Sequence, residues 1–285
     1  SIANWPLRHL LRAITRQQDS QGKQSSLAMG GMDLTTLEKR IHPHRSKSVR
    51  PSEASESDFS SPEEMASALV GAGGALERVI PGFEHRVEQE TMLLGVAQTF
   101  ANEEHLVVEA GTGVGKSMAY LLPAADFALR NKTRVVISTN TIGLQDQLIH
   151  KDLPTVGETL AEAGNANASD LRFSSLKGRA NYLCLRRWSH MRSSSDLSVD
   201  EARFMGKLTC WLQETSNGDR ADLRMSRQDN GVWEKLSSQG SRECPLSEGA
   251  CFLRSARERA DASDVVVVNH SLLLSDLARG GGLIP

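Results

Sequence analysis

The sequence predicts an α/β fold with a parallel sheet, and three observations lead to this prediction. A glycine-rich run, EAGTGVGKS at 109–117, lies between the apolar run Leu106–Val108 and a helical pattern at Met118–Leu129. Two further runs rich in β-branched residues, Arg134–Ser138 and Asp264–Val268, are typical of buried strands. Helical patterns alternate with these strands, and that alternation builds a right-handed parallel sheet. Ligands collect at the carboxyl ends of the strands in such sheets.

The glycine-rich run has the composition of a phosphate-binding loop. Its glycines let the backbone curl so that successive N–H groups point at an anion, and the following helix adds the positive end of its dipole. Lys116 is expected to act on the β- and γ-phosphates as a catalytic group, and Ser117 to hold Mg²⁺. The alternative is a chance glycine-rich turn between a strand and a helix. We expect ATP to be bound by Gly111, Thr112, Gly113, Val114, Gly115, Lys116 and Ser117.

Composition limits the kind of partner. The 285 residues carry a net charge of −2, so a nucleic acid would have to be held by a local groove and not by bulk charge. No apolar run reaches the roughly 20 residues of a membrane span and no signal-peptide pattern is found, so we expect no membrane partner and a cytoplasmic location. Four cysteines without a secretory context favour metal chemistry over disulfides. The oligomeric state is not defined by the sequence, and a monomer is expected.

The part before the glycine-rich loop holds a poorly patterned segment and two helices. Residues 1–62 are predicted to be disordered or a linker, although the basic first fifty residues leave a DNA-binding arm as an alternative. A helix is expected to start at Ser61-Pro62, with serine as the cap. The next helix, Glu84 to Ala101, places Arg86 and Gln89 on one face, where the glutamine amide would read an adenine edge. Without the nearby loop, this pair would be interpreted as a solvated face.

Polar residues follow the second and third strands. Thr139–Pro154 reads TNTIGLQDQLIHKDLP, and Asn140 or Thr141 is expected to cap a helix there. The start of this helix would offer N–H groups to a phosphate, together with the side chains of Thr139, Thr141 and Gln145. The third strand ends in Asn269-His270.

All four cysteines lie where the α/β alternation is interrupted, between Leu171 and Ala260. Cys184 ends the run KGRANYLC, Cys210 falls in a helical stretch at Ser198–Leu212, and six residues separate Cys244 from Cys251. This spacing matches neither a zinc finger nor a ferredoxin run. On spacing alone, a metal site and a set of buried apolar cysteines are both open.

Taken together, these segments resemble the DinG-like helicases, the bacterial branch of the XPD-type iron–sulfur superfamily 2 DNA helicases. The loop has Ala110 where the commoner pattern has glycine, and this A-x-x-G-x-G-K-S form is similar to the superfamily 2 version. The resemblance covers about residues 63–285, in the family's order. The matching segments are FEHRVEQETM (83–92), EAGTGVGKS (109–117), AYLLPA (119–124), STNTIGLQDQL (138–148), KGRANYLC (177–184), CFLRSARERA (251–260) and VVVVNHSLLLSD (265–276).

The resemblance implies a RecA-like P-loop motor domain with an inserted, mostly helical iron–sulfur domain. The motor would comprise 63–175 and 261–285, and the insertion 176–260. Arg86 and Gln89 fall on the adenine-recognition motif, and the motif that grips single-stranded DNA contains Thr139, Thr141 and Gln145.

A [4Fe–4S] cluster is the further cofactor that the resemblance implies. Cys184 matches its first ligand and Cys251 its last, while Cys244 corresponds to the third. The family's other cysteine is missing from Ser237–Arg242, which leaves Cys210 as the candidate fourth ligand. The alternative is a zinc site that would hold the inserted segment together in the same way.

The resemblance also implies an Asp-Glu-x-His run, whose carboxylates hold Mg²⁺ and activate water, and the sequence contains none. We therefore expect an N-terminal fragment that binds ATP but hydrolyses it poorly. The intact protein would be an ATP-dependent DNA helicase in repair or replication, moving 5′→3′ on single-stranded DNA and opening duplex–single-strand junctions. The alternatives are a P-loop switch or kinase with a structural zinc insertion, and a non-catalytic DNA-binding module.

Overall fold

The computed structural model describes residues 40–41, 59–240 and 250–285. The predicted linker at 1–62 lies almost wholly outside the described residues, as does Cys244. The described residues form two compact units. The P-loop unit comprises 59–176 and 259–285, and the cysteine unit comprises 40–41, 177–240 and 250–258.

Helices and strands alternate along the P-loop unit and give way to helices in the cysteine unit. Up to residue 176 they are α1 (Pro62–Val70), α2 (Ala75–Val79), α3 (Val87–Asn102), α4 (Lys116–Asn131), β1 (Val135–Thr139), α5 (Ile142–Gln147), α6 (Leu153–Glu162) and β2 (Phe173–Ser175). A π-helical turn, Leu148–Asp152, joins α5 to α6. From residue 177 onward they are α7 (Leu185–Arg192), α8 (Val199–Trp211), α9 (Arg227–Leu236), α10 (Phe252–Asp261), β3 (Val265–Asn269) and α11 (His270–Leu277).

The described strands form a parallel sheet in the order β1-β3-β2. The central strand β3 pairs with β1 from Val135↔Val265 to Thr139↔Asn269, so the carboxyl ends of these two strands are level. The four valines of β3 are buried, as expected for a parallel strand covered on both faces. The predicted parallel α/β sheet is therefore confirmed.

Several helix starts follow from their caps. Ser61 accepts a hydrogen bond from the Glu64 N–H and Pro62 opens α1, as predicted. Thr141 caps α5 by accepting from the Leu144 N–H at 3.2 Å. The helix predicted from Glu84 begins at Val87, so Arg86 is its N-cap and stands beside the first turn.

The strand predicted at Leu106–Val108 is wrong for the described structure. Val107 is 97% exposed, and Leu106 and Val108 are each 43% exposed. Both edges of β3 are taken by β1 and β2, so this segment would have to pair with an outer edge of the sheet.

The core of the P-loop unit surrounds α4, which packs against α3 and the sheet. Its buried face is aliphatic and includes Ala119, Leu122 and Ala125. The buried carboxylate of Asp126 is compensated by Arg130 Nε at 2.6 Å. This packing fixes the first turn of α4, where Lys116 and Ser117 lie.

The cysteine unit has a separate core around two buried tryptophans, Trp188 and Trp233. Trp211 meets Trp233 edge-on at 6.3 Å, and the Trp233 indole donates to the Ala180 carbonyl at 2.8 Å. Ser198 and Glu201 form a capping box at the start of α8, which confirms the helix predicted around Cys210. No helix in the described ranges is both long enough and apolar enough to cross a membrane.

Candidate nucleotide and nucleic-acid site

The glycine-rich loop turns directly into α4 through residues in the left-handed region. Gly113 has φ 85° and Gly115 has φ 77°, and Gly115 is the N-cap of α4. Residues with a side chain rarely adopt such positive φ angles, so the turn requires glycine at these two positions. The predicted strand is absent, but the loop and helix form as the sequence indicates.

Lys116 folds back over the loop. Its ammonium group donates to the Ala110 carbonyl at 2.8 Å and to the Gly111 carbonyl at 2.7 Å. These carbonyls are the only acceptors recorded for the ammonium group within the described residues. A triphosphate in the loop would offer charged oxygens in their place, and hydrogen bonds between ionised groups are about twice as strong as neutral ones.

Arg86 and Gln89 both hold the loop backbone. The Arg86 guanidinium donates to the Gly113 carbonyl. The Gln89 amide nitrogen donates to the Gly115 carbonyl at 3.0 Å, and this side chain is only 3% exposed. The structure thus places both predicted residues at the loop, where they support its shape; adenine recognition by them stays a prediction.

Tyr120 is a further residue at the site that the sequence did not indicate. Burial raises the pKa of Tyr120, and a hydrogen bond with the Ser117 side chain partly opposes that shift. Tyr120 follows Ser117 by three residues on α4, so the two lie on the same face of the helix. Tyr120 is therefore a neighbour of the hydroxyl that is predicted to bind Mg²⁺.

The residues predicted to grip DNA lie at the carboxyl end of β1, but their side chains differ in access. Thr139 is 4% exposed and donates to the Thr141 carbonyl at 3.1 Å. Gln145 is fully buried, and its amide nitrogen donates to the carbonyls of Val267 at 2.7 Å and Leu176 at 3.2 Å. Only Thr141 is exposed, with its hydroxyl used as the α5 cap. Packing of α5 turns the Gln145 side chain into the sheet, and DNA contact by the three residues stays a prediction.

The cysteines of the described part do not form a metal-binding group. No cluster of three or more His, Cys, Asp or Glu side chains is found among residues 40–41, 59–240 and 250–285. Cys210 is exposed on α8, whereas Cys184 and Cys251 are half-buried. Cys184, Cys210 and Cys251 therefore do not converge by themselves, and with Cys244 outside the described residues the cluster stays a prediction.

Substitution of Gly115 is expected to damage the loop before any ligand binds. A Cβ at this position would collide with the Gln89 side chain, and the positive φ adds about 1–2 kcal/mol of backbone strain. With roughly 1–3 kcal/mol for overpacking, Gly115→Ala should lower the free energy of unfolding by about 2–5 kcal/mol in thermal or denaturant melts. Gln89→Ala in the same chain should restore part of this loss.

Gly111→Ala is the matched control, since no atom lies within 4 Å of its Cβ and its φ is not positive. Its unfolding should shift by less than about 0.5 kcal/mol. Equal melting of the two alanine variants would contradict the packing of Gln89 against Gly115.

The loop, the lysine and serine at the head of α4, and the parallel sheet define a P-loop nucleotide-binding protein of the α/β class. Comparison with known proteins narrows this class. A model of the DEAD/DEAH box helicase family matches residues 93–178.

The curated relatives carry helicase or nuclease names. The ATP-dependent DNA helicase YoaA of Escherichia coli (strain K12) is 40% identical over 209 residues, which are 72% of this chain and 31% of that protein. The ATP-dependent helicase DinG of Mycobacterium tuberculosis (strain ATCC 25618 / H37Rv) is 38% identical over 246 residues, 80% of this chain and 35% of that protein. The 3′-5′ exonuclease DinG of Bacillus subtilis (strain 168) is 37% identical over 215 residues, 75% of this chain and 22% of that protein.

The chain belongs to the DinG-like helicases of the DEAD/DEAH box family, as its sequence motifs predict. Its parallel α/β unit fits a RecA-like motor. The chain spans about a third or less of the length of these three relatives.

Proposed function

We propose that this chain forms the ATP-binding part of the first motor domain of an ATP-dependent DNA helicase. The observation that carries the proposal is Lys116 at the head of α4, with its ammonium group on loop carbonyls that a triphosphate would replace. In this proposal Ser117, beside Tyr120, binds Mg²⁺, and Arg86 and Gln89 couple adenine recognition to the loop. The names and identities of the relatives support it.

The intact protein would couple ATP hydrolysis to 5′→3′ movement on single-stranded DNA and open duplex–single-strand junctions during repair or replication. The sequence contains no Asp-Glu-x-His run, so this chain by itself should bind ATP without efficient turnover. Thr141 and the neighbouring backbone at the end of β1 would contact the DNA, and the buried Thr139 and Gln145 would position them.

The test is binding of ATP and single-stranded DNA by this chain. A fluorescent ATP analogue should bind in a Mg²⁺-dependent manner, and a fluorescein-labelled oligothymidylate should raise its anisotropy on titration with the protein. A chain that binds the oligonucleotide but no adenine nucleotide would support the non-catalytic module. A chain that binds nucleotide but no DNA would support a P-loop switch or kinase, and indifference to both would overturn the proposal.

We further propose that the cysteine unit holds a [4Fe–4S] cluster, with zinc as the alternative. The thiol donors of the cysteine unit suit either metal. A bound cluster would cross-link the segment 176–260 and stabilise its fold.

Metal analysis of anaerobically purified protein is expected to find iron and acid-labile sulfide. Cys184→Ser and Cys251→Ser should each abolish both, since each removes a predicted ligand. Because Cys210 is exposed on α8 while Cys184 and Cys251 are half-buried, Cys210→Ser should show whether it is a ligand at all. Zinc in place of iron would contradict the cluster, and protein with neither metal would contradict both assignments.

A further inference from the structure

We infer that His270 is a further contact residue for single-stranded DNA, through a hydrogen bond to a backbone phosphate. The inference rests on the DNA-binding function proposed above and adds a residue that neither the DNA motif nor the comparisons assign. It concerns only the P-loop unit.

The register of the sheet brings two polar segments together. Thr139 lies opposite Asn269, so the segment after β1 and the segment after β3 emerge side by side from the same end of the sheet. The Ser138 hydroxyl is 2.7 Å from His270 Nδ1, which joins the two segments directly. The carboxyl ends of parallel strands are where α/β proteins bind their ligands.

The geometry fixes the ring of His270 and leaves one nitrogen for a ligand. Nδ1 is engaged by Ser138, while Asn269, the preceding residue, caps α11 by accepting from the Leu272 N–H at 2.8 Å. His270 itself is exposed, and within the described residues no bond of its Nε2 is recorded. A Ser138 hydroxyl that donates to Nδ1 leaves the proton on Nε2, so that Nε2 is a hydrogen-bond donor.

The two stretches that emerge together, 138–145 and 268–275, contain no aspartate or glutamate. A carboxylate directly follows each stretch, Asp146 after the first and Asp276 after the second, and Asp276 accepts from the N–H groups of Leu283 and Ile284. In the tautomer that carries its proton on Nε2, His270 presents an outward donor between these stretches, and such a donor suits an acceptor-only anionic oxygen. A phosphodiester supplies such oxygens, and phosphate contacts position nucleic acids independently of sequence. The exposed side chains of Asn140 and Thr141 border the same place.

The experiment measures the affinity of the full chain for fluorescein-labelled oligothymidylate by anisotropy at one fixed salt concentration. His270→Ala should weaken binding roughly tenfold or more, the effect of losing one hydrogen bond to a charged group. Ser138→Ala should weaken it less, because it removes only the group that orients the ring. His150→Ala, which removes another exposed imidazole of the P-loop unit, should bind like the wild type.

Oligonucleotides with single methylphosphonate linkages separate a phosphate contact from a structural role. In the wild type, one neutral linkage should weaken binding by about the same factor as His270→Ala, and the variant should be indifferent to that linkage. ATP affinity and melting temperature should be unchanged in His270→Ala. Wild-type affinity in His270→Ala, or continued sensitivity of the variant to every linkage, would overturn the inference and leave the proposed function intact. A wild-type chain that binds no oligonucleotide would overturn the DNA-binding proposal and this inference together.

Discussion

Replacing Lys116 by alanine is expected to lower the affinity of the chain for MgATP by roughly 10–150-fold. The ammonium group now bonds to the Ala110 and Gly111 carbonyls, and in the complex it would bond to phosphate oxygens. Hydrogen bonds to charged groups contribute about 1.5–3 kcal/mol each, which corresponds to this range of affinity. Titration with a fluorescent ATP analogue or calorimetry measures the change.

Lys132→Ala is the matched control for this experiment. Lys132 ends the same helix α4, about 24 Å along the helix from Lys116, and both replacements remove one positive charge from the P-loop unit. Its MgATP affinity should stay within a factor of about two of the wild type, because bulk charge is screened over that distance. Should Lys116→Ala and Lys132→Ala bind equally well, the glycine-rich loop would not be the nucleotide site.

The elements that local chemistry specifies could be predicted from the sequence. Ser61 and Thr141 cap their helices, and the valine run of β3 forms the centre of a parallel sheet. In each case a few adjacent residues contain the whole signal, since a cap or a buried strand depends on its own side chains and period.

What failed depends on partners that are distant in the sequence. Leu106–Val108 has the composition of a strand, but it pairs with neither outer edge of the described sheet, and its own composition does not specify such a partner. The burial of Gln145 was likewise not predicted: its amide nitrogen donates to the carbonyl of Leu176, just after β2, and to that of Val267, in the middle of β3, 31 and 122 residues away. The buried side-chain oxygen of Gln145 has no hydrogen-bond partner in the described part, a cost that no local pattern would foretell.

His270 and Tyr120 illustrate residues whose role became visible only in three dimensions. The polar pair Asn269-His270 after four valines was a usable signal, because polar residues directly after a buried parallel strand lie at its ligand-binding end. What the sequence could not supply was the register that sets His270 beside Ser138.

Breaking the buried ion pair between Lys177 and Asp219 is expected to destabilise the cysteine unit strongly. The two charges are 2.6 Å apart, and their side chains are only 2% and 9% exposed. Asp219 also accepts from the Ala221 N–H, and the Lys177 N–H donates to the Tyr182 hydroxyl. Removing one partner leaves the other charge buried and unpaired, so Lys177→Met should cost about 3–5 kcal/mol of unfolding free energy.

Tryptophan fluorescence is the appropriate measurement, because three of the four tryptophans, Trp188, Trp211 and Trp233, belong to the cysteine unit and the fourth is Trp5.

Lys235→Met is the matched control. Its partner Glu201 is 2.9 Å away, but the lysine side chain is 63% exposed, so the loss of unfolding free energy should be at most about 1 kcal/mol. The double variant Lys177→Met/Asp219→Leu should be more stable than Lys177→Met, because it removes the unpaired charge. Equal melting of Lys177→Met and Lys235→Met would contradict this prediction and would mean that water reaches the Lys177–Asp219 pair. The segment KGRANYLC would then be held to the rest of the cysteine unit by the β-bridges Tyr182↔Asp219 and Leu183↔Ser237.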